Sequence, residues 1–439
     1  MVLLYQAKKP PRVAQNNIVA EISALDYQGV GVAKINGKTW FIENALPGER
    51  VQFKVTEEKG RYGKGTATRI LQPSAARREA KCPHYAQCGG CQSQHIDAAL
   101  QRESKQHALF RRLRALQAEQ IEMMPMIVGE QWQYRRRARL SLMFDIKSKR
   151  LILGFRQKNS QDIVPIRHCD VLVPALNDLL PKLTALFADW SAPKALGHIE
   201  LVAADNGVAM LLRHMGKAAE QDRKRLLAFA EQERLMLFWQ DDAVEHWFGG
   251  APYYRLSDGT QLYFDIRDFI QINGALNQRM IDTATDWLDL NDGDNLLDLF
   301  CGMGNFTLPL SRKVKSAVGI EGVSAMVEKA GKNAERNQCH NVQFYRNDLD
   351  QPFADQAWTN TRFNKILLDP PRSGAAFALN ALCALGAEKV LYVSCNPATL
   401  VRDAEILLNF GYRLKKAAMI DMFPNTGHLE SISLFEKQQ

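Results

Sequence analysis

No apolar run in the 439 residues reaches the ~20 needed to span a bilayer. The N-terminus has no hydrophobic leader core. These absences predict a cytoplasmic protein with no membrane partner. Other signatures are missing too. GxGxxG does not occur, so the chain carries no dinucleotide fingerprint. There is no phosphate P-loop, and no serine–histidine pair stands out. The cysteines do not fall into the two CxxC pairs common in structural zinc sites. No internal repeat or low-complexity tract appears.

What is present is ordinary in bulk. Hydrophobic residues make up 46% and charged residues 24%, which suits a chain that buries real cores. The length predicts about three domains. The formal net charge of +8 points modestly to a polyanionic partner, and the distribution of charge matters more than the sum. In a reducing compartment the eight cysteines are not expected to form structural disulfides.

Residues 1 to about 14 are basic and Pro-containing and predict a loose arm. Short β-type runs then follow over Ile18–Ile22, Gly31–Ile35, Thr39–Ile42, Arg50–Val55 and Lys64–Thr68. Asn36-Gly37 predicts a hairpin turn. Five strands in some fifty-five residues predict a small OB-like barrel, assigned to residues 1–72. The turns Tyr27-Gln28-Gly29-Val30-Gly31 and Ala45-Leu46-Pro47-Gly48-Glu49 resemble those of a TRAM domain, an RNA-binding module. Lys59, Arg61, Tyr62 and Lys64 are candidates for a phosphate backbone and a base face, or are simply a solvated hairpin tip.

Three thiols are bunched as C-x5-C-x2-C at Cys82, Cys88 and Cys91. Glycines beside Cys88 and Cys91 suit a loop that wraps an ion or a cluster. Cys169, in Arg167-His168-Cys169-Asp170, is the best fourth ligand. Four thiolates fit zinc or an iron–sulfur cluster, and the three-plus-one spacing leans to the cluster. His84 and His168 read as neighbours.

Asp97 to Gln120 predicts a long helix with Leu100, Leu109, Leu113 and Leu116 inward. Trp132 to Leu140 sets Arg135, Arg136, Arg137 and Arg139 beside two aromatics, a pattern suited to RNA phosphates and bases. In a strand only about half of these arginines could face one ligand. Further strands over residues 141–156, 199–212 and 235–238 predict a mixed α/β middle domain, assigned to residues 73–264.

The last part, residues 265–439, alternates strand and helix. Leu296 to Phe300 reads as a buried parallel strand ending in Cys301-Gly302-Met303-Gly304, where glycines would admit a ligand close to the backbone. A second strand ends in Glu321, placed to accept two ribose hydroxyls. Later strands end in Asn347-Asp348, in Asp369-Pro370-Pro371-Arg372 and in Ser394-Cys395-Asn396-Pro397. In such sheets these ends gather on one rim. Asp-Pro-Pro alone suits an amino-methyltransferase, which needs no thiol. A cysteine on the same rim suits carbon methylation. C5 of uracil is too electron-poor to attack a methyl sulfonium. A thiolate that adds to C6 makes it nucleophilic. A base must then remove the C5 proton, and Glu430 or His428 can serve.

Four motifs now stand in order: Leu-Asp-Leu-Phe-Cys-Gly-Met-Gly-Asn-Phe (297–306), Asp-Pro-Pro-Arg (369–372), Ser-Cys-Asn-Pro (394–397) and His-Leu-Glu (428–430). Together they resemble the RNA uracil-C5 methyltransferase family. The barrel and the four cysteines resemble the member that acts on 23S ribosomal RNA, and the likeness covers essentially the whole chain. The family usually has valine at Leu429, a conservative departure. The resemblance implies a Rossmann-like class I methyltransferase domain. It makes Cys395 the nucleophile and Glu430 the base. It puts S-adenosylmethionine against Gln271, Phe300, Asn305, Glu321, Asp348 and Asp369, and a [4Fe-4S] cluster on Cys82, Cys88, Cys91 and Cys169. The implied partner is 23S ribosomal RNA, and the expected state is a monomer. The alternatives are an amino-methyltransferase, for which Cys395 is dispensable, and an RNA-binding assembly factor that binds no S-adenosylmethionine.

Overall fold

The computed structural model describes residues 18–438 apart from Ala118, Asp350, Pro352, Ala354 and Asp355. The basic arm expected over residues 1 to about 14 lies outside the described residues. The chain divides into two compact units. One holds the described residues up to Ala80, with Gln92–Ala108 and Asn425–Gly427. The other holds Lys81–Cys91, Leu109–Pro424 and the residues from His428 onward.

The first unit is built on β1 (Ile18–Glu21), β2 (Ala24–Leu25), β3 (Gly31–Ile35), β4 (Lys38–Glu43), β5 (Arg50–Glu58) and β6 (Tyr62–Gln72). Their order is β1-β5-β6-β4-β3-β2. Asn36 and Gly37 have φ of 50° and 78°, the paired positive values of a type I′ hairpin turn. Alternation along β5 sends Val51, Phe53 and Val55 into the core. Gly63 and Gly65 are required by that core, because a Cβ on either would collide with the Trp40 or Phe53 ring. Glu49 is buried and accepts from Arg77 Nε at 2.6 Å and from the Leu46 amide at 2.8 Å, which closes its turn.

α1 (Ala98–Arg114) ends earlier than the expected Gln120. Gln117 is used elsewhere: its side chain donates to the Leu414 carbonyl at 2.9 Å and accepts from the Leu414 amide at 3.0 Å. The short β7 (Glu122–Met123) follows.

Within the second unit a seven-stranded sheet comprises β8 (Arg137–Asp145), β9 (Arg150–Arg156), β10 (Ile163–Pro165), β11 (Leu196–Ala204), β12 (Gly207–His214), β13 (Leu235–Gln240) and β14 (Val244–Phe248). The order is β10-β9-β8-β11-β12-β13-β14. α2 (Pro174–Asn177) and α3 (Leu179–Leu186) pack their leucines on it. Only β12 and β13 run parallel, and α4 (Glu220–Gln232) makes the crossover such a pair needs. A hairpin of β15 (Tyr253–Arg255) and β16 (Gln261–Tyr263) then leads to α5 (Gly274–Leu288).

The final sheet uses β17 (Asn295–Leu299), β18 (Ser316–Glu321), β19 (Val342–Arg346), β20 (Lys365–Leu368), β21 (Lys389–Ser394), β22 (Tyr412–Ile420) and β23 (Glu430–Lys437), with β7 at its edge. The order is β19-β18-β17-β20-β21-β23-β22-β7. α6 (Thr307–Ser311), α7 (Ser324–Arg336), α8 (Ala376–Ala384) and α9 (Pro397–Asn409) connect the strands. The central β17 and β20 are buried along nearly their whole length, as strands covered on both faces must be. β23 alone runs antiparallel to both neighbours. Strand order reverses between β17 and β20, so a ligand crevice opens at their carboxyl ends. Among the described residues no helix is long and apolar enough to cross a membrane.

Candidate active site

The rim begins at the end of β17. Phe300 turns into the left-handed region at φ 63°, an uncommon conformation for a bulky residue. Gly302 and Gly304 follow at 55° and 96°. A Cβ on Gly304 would meet Leu308 at 2.9 Å, while one on Gly302 would meet open space. The Gly302 amide donates to Glu321 Oε2 at 3.2 Å, and the Val323 amide donates to Oε1 at 3.0 Å. Both oxygens of Glu321 are thereby oriented at the end of β18. Beneath the loop, Asp298 is fully buried and accepts from Thr307 Oγ1 at 2.5 Å. Burial, with Asp369 and Glu321 nearby, pushes its carboxyl up to about 7. Its second oxygen has no hydrogen-bond partner.

Asn305 sits in a closed amide exchange with Asn277 of α5, at 2.9 Å in each direction. It also accepts from the Tyr254 hydroxyl at 2.8 Å. Gln271 lies just before α5, where its carbonyl accepts from Arg136 Nε at 2.7 Å. Asp348 is exposed beyond β19. Asp369 ends β20, and burial pushes its carboxyl up to about 7.

Cys395 follows β21, and Glu430 begins β23. These strands pair Ser394 with Ser431, so one step further along the register Cys395 faces Glu430. Burial first, then the charges of Glu430 and Asp369, push the Cys395 thiol up to about 11. Arg372 acts in the opposite direction. Cys395 also precedes Asn396, the N-cap of the 13-residue α9, whose helix dipole favours a thiolate. Arg372 Nη2 donates to His428 Nδ1 at 3.0 Å. A guanidinium can only donate, so His428 Nδ1 is the acceptor in this contact.

None of the four cysteines of the candidate metal site is in a disulfide; each is half-buried, and all belong to the second unit. Burial and the nearby Cys91 and Cys82 push the Cys169 thiol up to about 12. Burial, Asp170 and Cys88 push Cys82 up as well. Asn177 fixes Cys169 by accepting from its amide at 2.8 Å and donating to its carbonyl at 2.9 Å. The Gly90 amide donates to the Cys88 sulfur at 3.4 Å. Among the described residues no group of three or more His, Cys, Asp or Glu side chains closes on a single ion.

The arginine cluster corrects the sequence expectation. Arg136 is buried and stacks on the Tyr254 ring at 4.5 Å. Arg137 pairs with Glu200 at 2.9 Å and donates to the carbonyls of Ile266 and Asp268. Arg135 Nε donates to the Arg137 carbonyl at 2.9 Å and is half-buried. Of the four, only Arg139 is exposed. Arginine carries an apolar, stackable plane as well as a charge, so a run of arginines does not by itself mark a surface.

Comparison with known proteins bears on this site. Residues 253–438 match the family model for tRNA (uracil-5-)-methyltransferase, and residues 18–68 match that for the TRAM domain. The 23S rRNA (uracil(1939)-C(5))-methyltransferase RlmD of Mannheimia succiniciproducens is 67% identical over 100% of both chains. The protein of that name from Histophilus somni is also 67% identical over 100% of both. The chain belongs to the RlmD family of RNA uracil-C5 methyltransferases. The crystal structure of Pyrococcus abyssi tRNA (uracil-54, C5)-methyltransferase in complex with S-adenosyl-L-homocysteine covers 95% of this chain and 100% of its own, with a TM-score of 0.73 and 21% identity. That likeness extends the shared fold across nearly the whole chain.

Asp403, Tyr254 and Asn277 support this family's motifs and are not marked by any sequence pattern. Asp403 is buried on α9 and accepts from the Ala375 amide and the Tyr392 hydroxyl, each at 2.6 Å. It ties the loop after Asp-Pro-Pro-Arg to the helix after Cys395. Gly374, at φ 78°, leaves the room: a Cβ there would lie 2.5 Å from Asp403 Oδ2. Tyr254 and Asn277 hold Asn305 from outside the glycine-loop motif. Only the tertiary contact gives either of them meaning.

Proposed function

We propose that the protein transfers a methyl group from S-adenosylmethionine to C5 of one uracil in 23S ribosomal RNA, in the cytoplasm and as a monomer. The observation that carries this is the register of β21 and β23, which faces Cys395 with Glu430 beside the Asp369–Arg372 loop. S-adenosylmethionine supplies an electrophilic methyl sulfonium. Gln271, Phe300, Asn305, Glu321, Asp348 and Asp369 hold it, with Glu321 on the ribose hydroxyls. Open space above Gly302 and the left-handed Phe300 fit a ligand lying across the loop.

The Cys395 thiolate adds to C6 of the uracil, forming a C–S bond and moving electron density to C5. C5 attacks the methyl carbon, the S–CH3 bond breaks with its electron pair returning to sulfur, and S-adenosylhomocysteine leaves. Glu430 removes the C5 proton, the electrons return to the ring, and the C–S bond breaks to release the thiolate. Both faces of the base are needed, so the uracil is turned out of its stack first.

Cys82, Cys88, Cys91 and Cys169 hold a [4Fe-4S] cluster in this reading. Cys91 and Cys82 lie close enough to act on Cys169, as Cys88 does on Cys82, and the three-plus-one spacing leans to a cluster, where each thiolate takes its own iron. Protein purified without oxygen should contain iron and acid-labile sulfide in equal amounts; zinc alone would contradict the assignment.

The function is tested by methylating ribosomal RNA from a strain that lacks the enzyme, with the product mapped by mass spectrometry. One 5-methyluridine in 23S RNA is expected. An amino-methylated base, or no methylation, would overturn it.

A further inference from the structure

Tyr134, with Trp132, stands beside the arginines in a pattern suited to RNA bases, yet the fold withdraws it from that use. It is 7% exposed. The backbone around it is pinned from several sides. The Gln133 amide donates to the Asp170 carbonyl at 2.9 Å and the Arg135 amide to the Val171 carbonyl at 2.9 Å. The Arg135 carbonyl accepts from the Val173 amide at 3.1 Å, and the Arg136 amide donates to the Ile272 carbonyl at 2.9 Å. Tyr134 is thus carried on a rigid strut. Burial pushes its phenol up, so the hydroxyl keeps its proton and is a donor at neutral pH. It donates to the Pro424 carbonyl at 3.0 Å, and Pro424 is itself buried.

Pro424 lies in the connection between β22 and β23. These strands form a hairpin in which Ile420 pairs with Glu430. The connection, residues 421–429, is longer than the loop of about 2–5 residues usual in a hairpin. A loop of that length keeps its end in place only where it is fastened. The Asp421 amide donates to the Ile127 carbonyl at 3.0 Å, and Tyr134 takes the Pro424 carbonyl. Across the loop the rings of Phe423 and His428 pack with centroids 5.1 Å apart. Arg372 Nη2 donates to His428 Nδ1 at 3.0 Å. The ring contact therefore joins the leg that Tyr134 holds to the leg that runs through His428 and Leu429 into Glu430.

We propose that Tyr134 is a positioning residue for the last chemical step: through Pro424 and the Phe423–His428 contact it sets Glu430 for removal of the C5 proton. This rests on the reading of Glu430 as the base. In that step Glu430 takes the proton, the C5–H electron pair re-forms the C5–C6 double bond, and the C6–S bond breaks with its pair returning to Cys395. Addition of the thiolate and methyl transfer come earlier and do not use Glu430. Loss of the Tyr134 hydroxyl spares them and slows release.

The test uses the full chain with ribosomal RNA and methyl-labelled S-adenosylmethionine, quenched in denaturant. Tyr134→Phe keeps the ring and removes only the hydroxyl. Its turnover should fall about 10-fold, the order expected of a displaced catalytic group. A labelled protein–RNA adduct should build up as it does so, while affinity for S-adenosylhomocysteine stays at the wild-type value. Phe423→Ala cuts the link across the loop and should accumulate the same adduct. In a Glu430→Gln background, adding Tyr134→Phe should leave the decay rate of the adduct unchanged, because a residue that acts through Glu430 then has nothing to position. Wild-type turnover by Tyr134→Phe would overturn the proposal. So would slower turnover without adduct, a parallel loss of rate and of S-adenosylhomocysteine affinity, absence of adduct from Phe423→Ala, or a changed decay rate in the double variant. Full turnover by Glu430→Gln with no adduct would instead sink the reading of Glu430 as the base, and the proposal with it.

Discussion

At the scale of single residues, the nucleophile role proposed for Cys395 starts from an unfavourable state. A thiol held near 11 by burial and by Glu430 and Asp369 is almost wholly protonated at pH 7. Alkylation of Cys395 in the free enzyme should therefore be slow and should rise about tenfold per pH unit from about pH 7 to about pH 9, as thiolate forms. A flat profile would mean the thiolate already exists. The two raised carboxylates act on stability. Asp298 and Asp369 move from 3.8 to about 7 on folding. The native state then binds more protons than the unfolded chain between those values, so stability falls as pH rises through that window. Urea melts of the ligand-free protein should show lower stability at about pH 8 than at about pH 5, with part of the difference removed in Asp298→Asn. That Cys395, Glu430 and the glycine loop gather at the strand ends was legible in the sequence, because each sits in a motif of fixed spacing. Arg136 and Arg137 were not. A charged side chain in a sequence does not reveal whether its partner is water or a carbonyl far along the chain, such as that of Gln271 or Ile266.

At the scale of elements, the strands were the most legible part. The continuous apolar run Ile366-Leu367-Leu368 reads as a central strand, and all three residues are buried in β20. Asn36-Gly37 supplies the two left-handed residues that a tight hairpin requires. The end of α1 was less legible, since the side chain of Gln117 is drawn to the backbone at Leu414 and the periodic pattern does not record that. The loop from Asp369 to Ala375 depends on Asp403 of α9, which gathers the Ala375 amide and the Tyr392 hydroxyl. Asp403→Ala leaves both donors without their acceptor. It should cost about 2–4 kcal/mol of stability in urea melts. It should also slow methyl transfer more than it weakens S-adenosylhomocysteine binding, because the loop joins Asp369 to the Cys395 segment. Equal losses in rate and binding would mean general unfolding rather than a misplaced loop.

At the scale of the whole molecule, affinity for RNA should come from fewer cations than the sequence offers. Lys59 and Lys64 both pair with Glu57, at 2.8 and 3.0 Å, so the barrel hairpin is partly self-neutralised. Arg139→Ala should flatten the slope of log affinity against log salt by about 0.7 to 0.9, the signature of one lost phosphate contact. Arg137→Ala should leave that slope unchanged and lower stability instead. The central claim is that methyl transfer runs through a covalent bond from Cys395 to the uracil, released by Glu430. Glu430→Gln keeps the nucleophile and the shape but cannot take the C5 proton. The most direct measurement is a denaturing gel of Glu430→Gln incubated with ribosomal RNA and S-adenosylmethionine. The account predicts a protein–RNA band that survives denaturation, carries the transferred methyl and is absent from Cys395→Ala. Turnover by Cys395→Ala, or full turnover by Glu430→Gln with no such band, would contradict it.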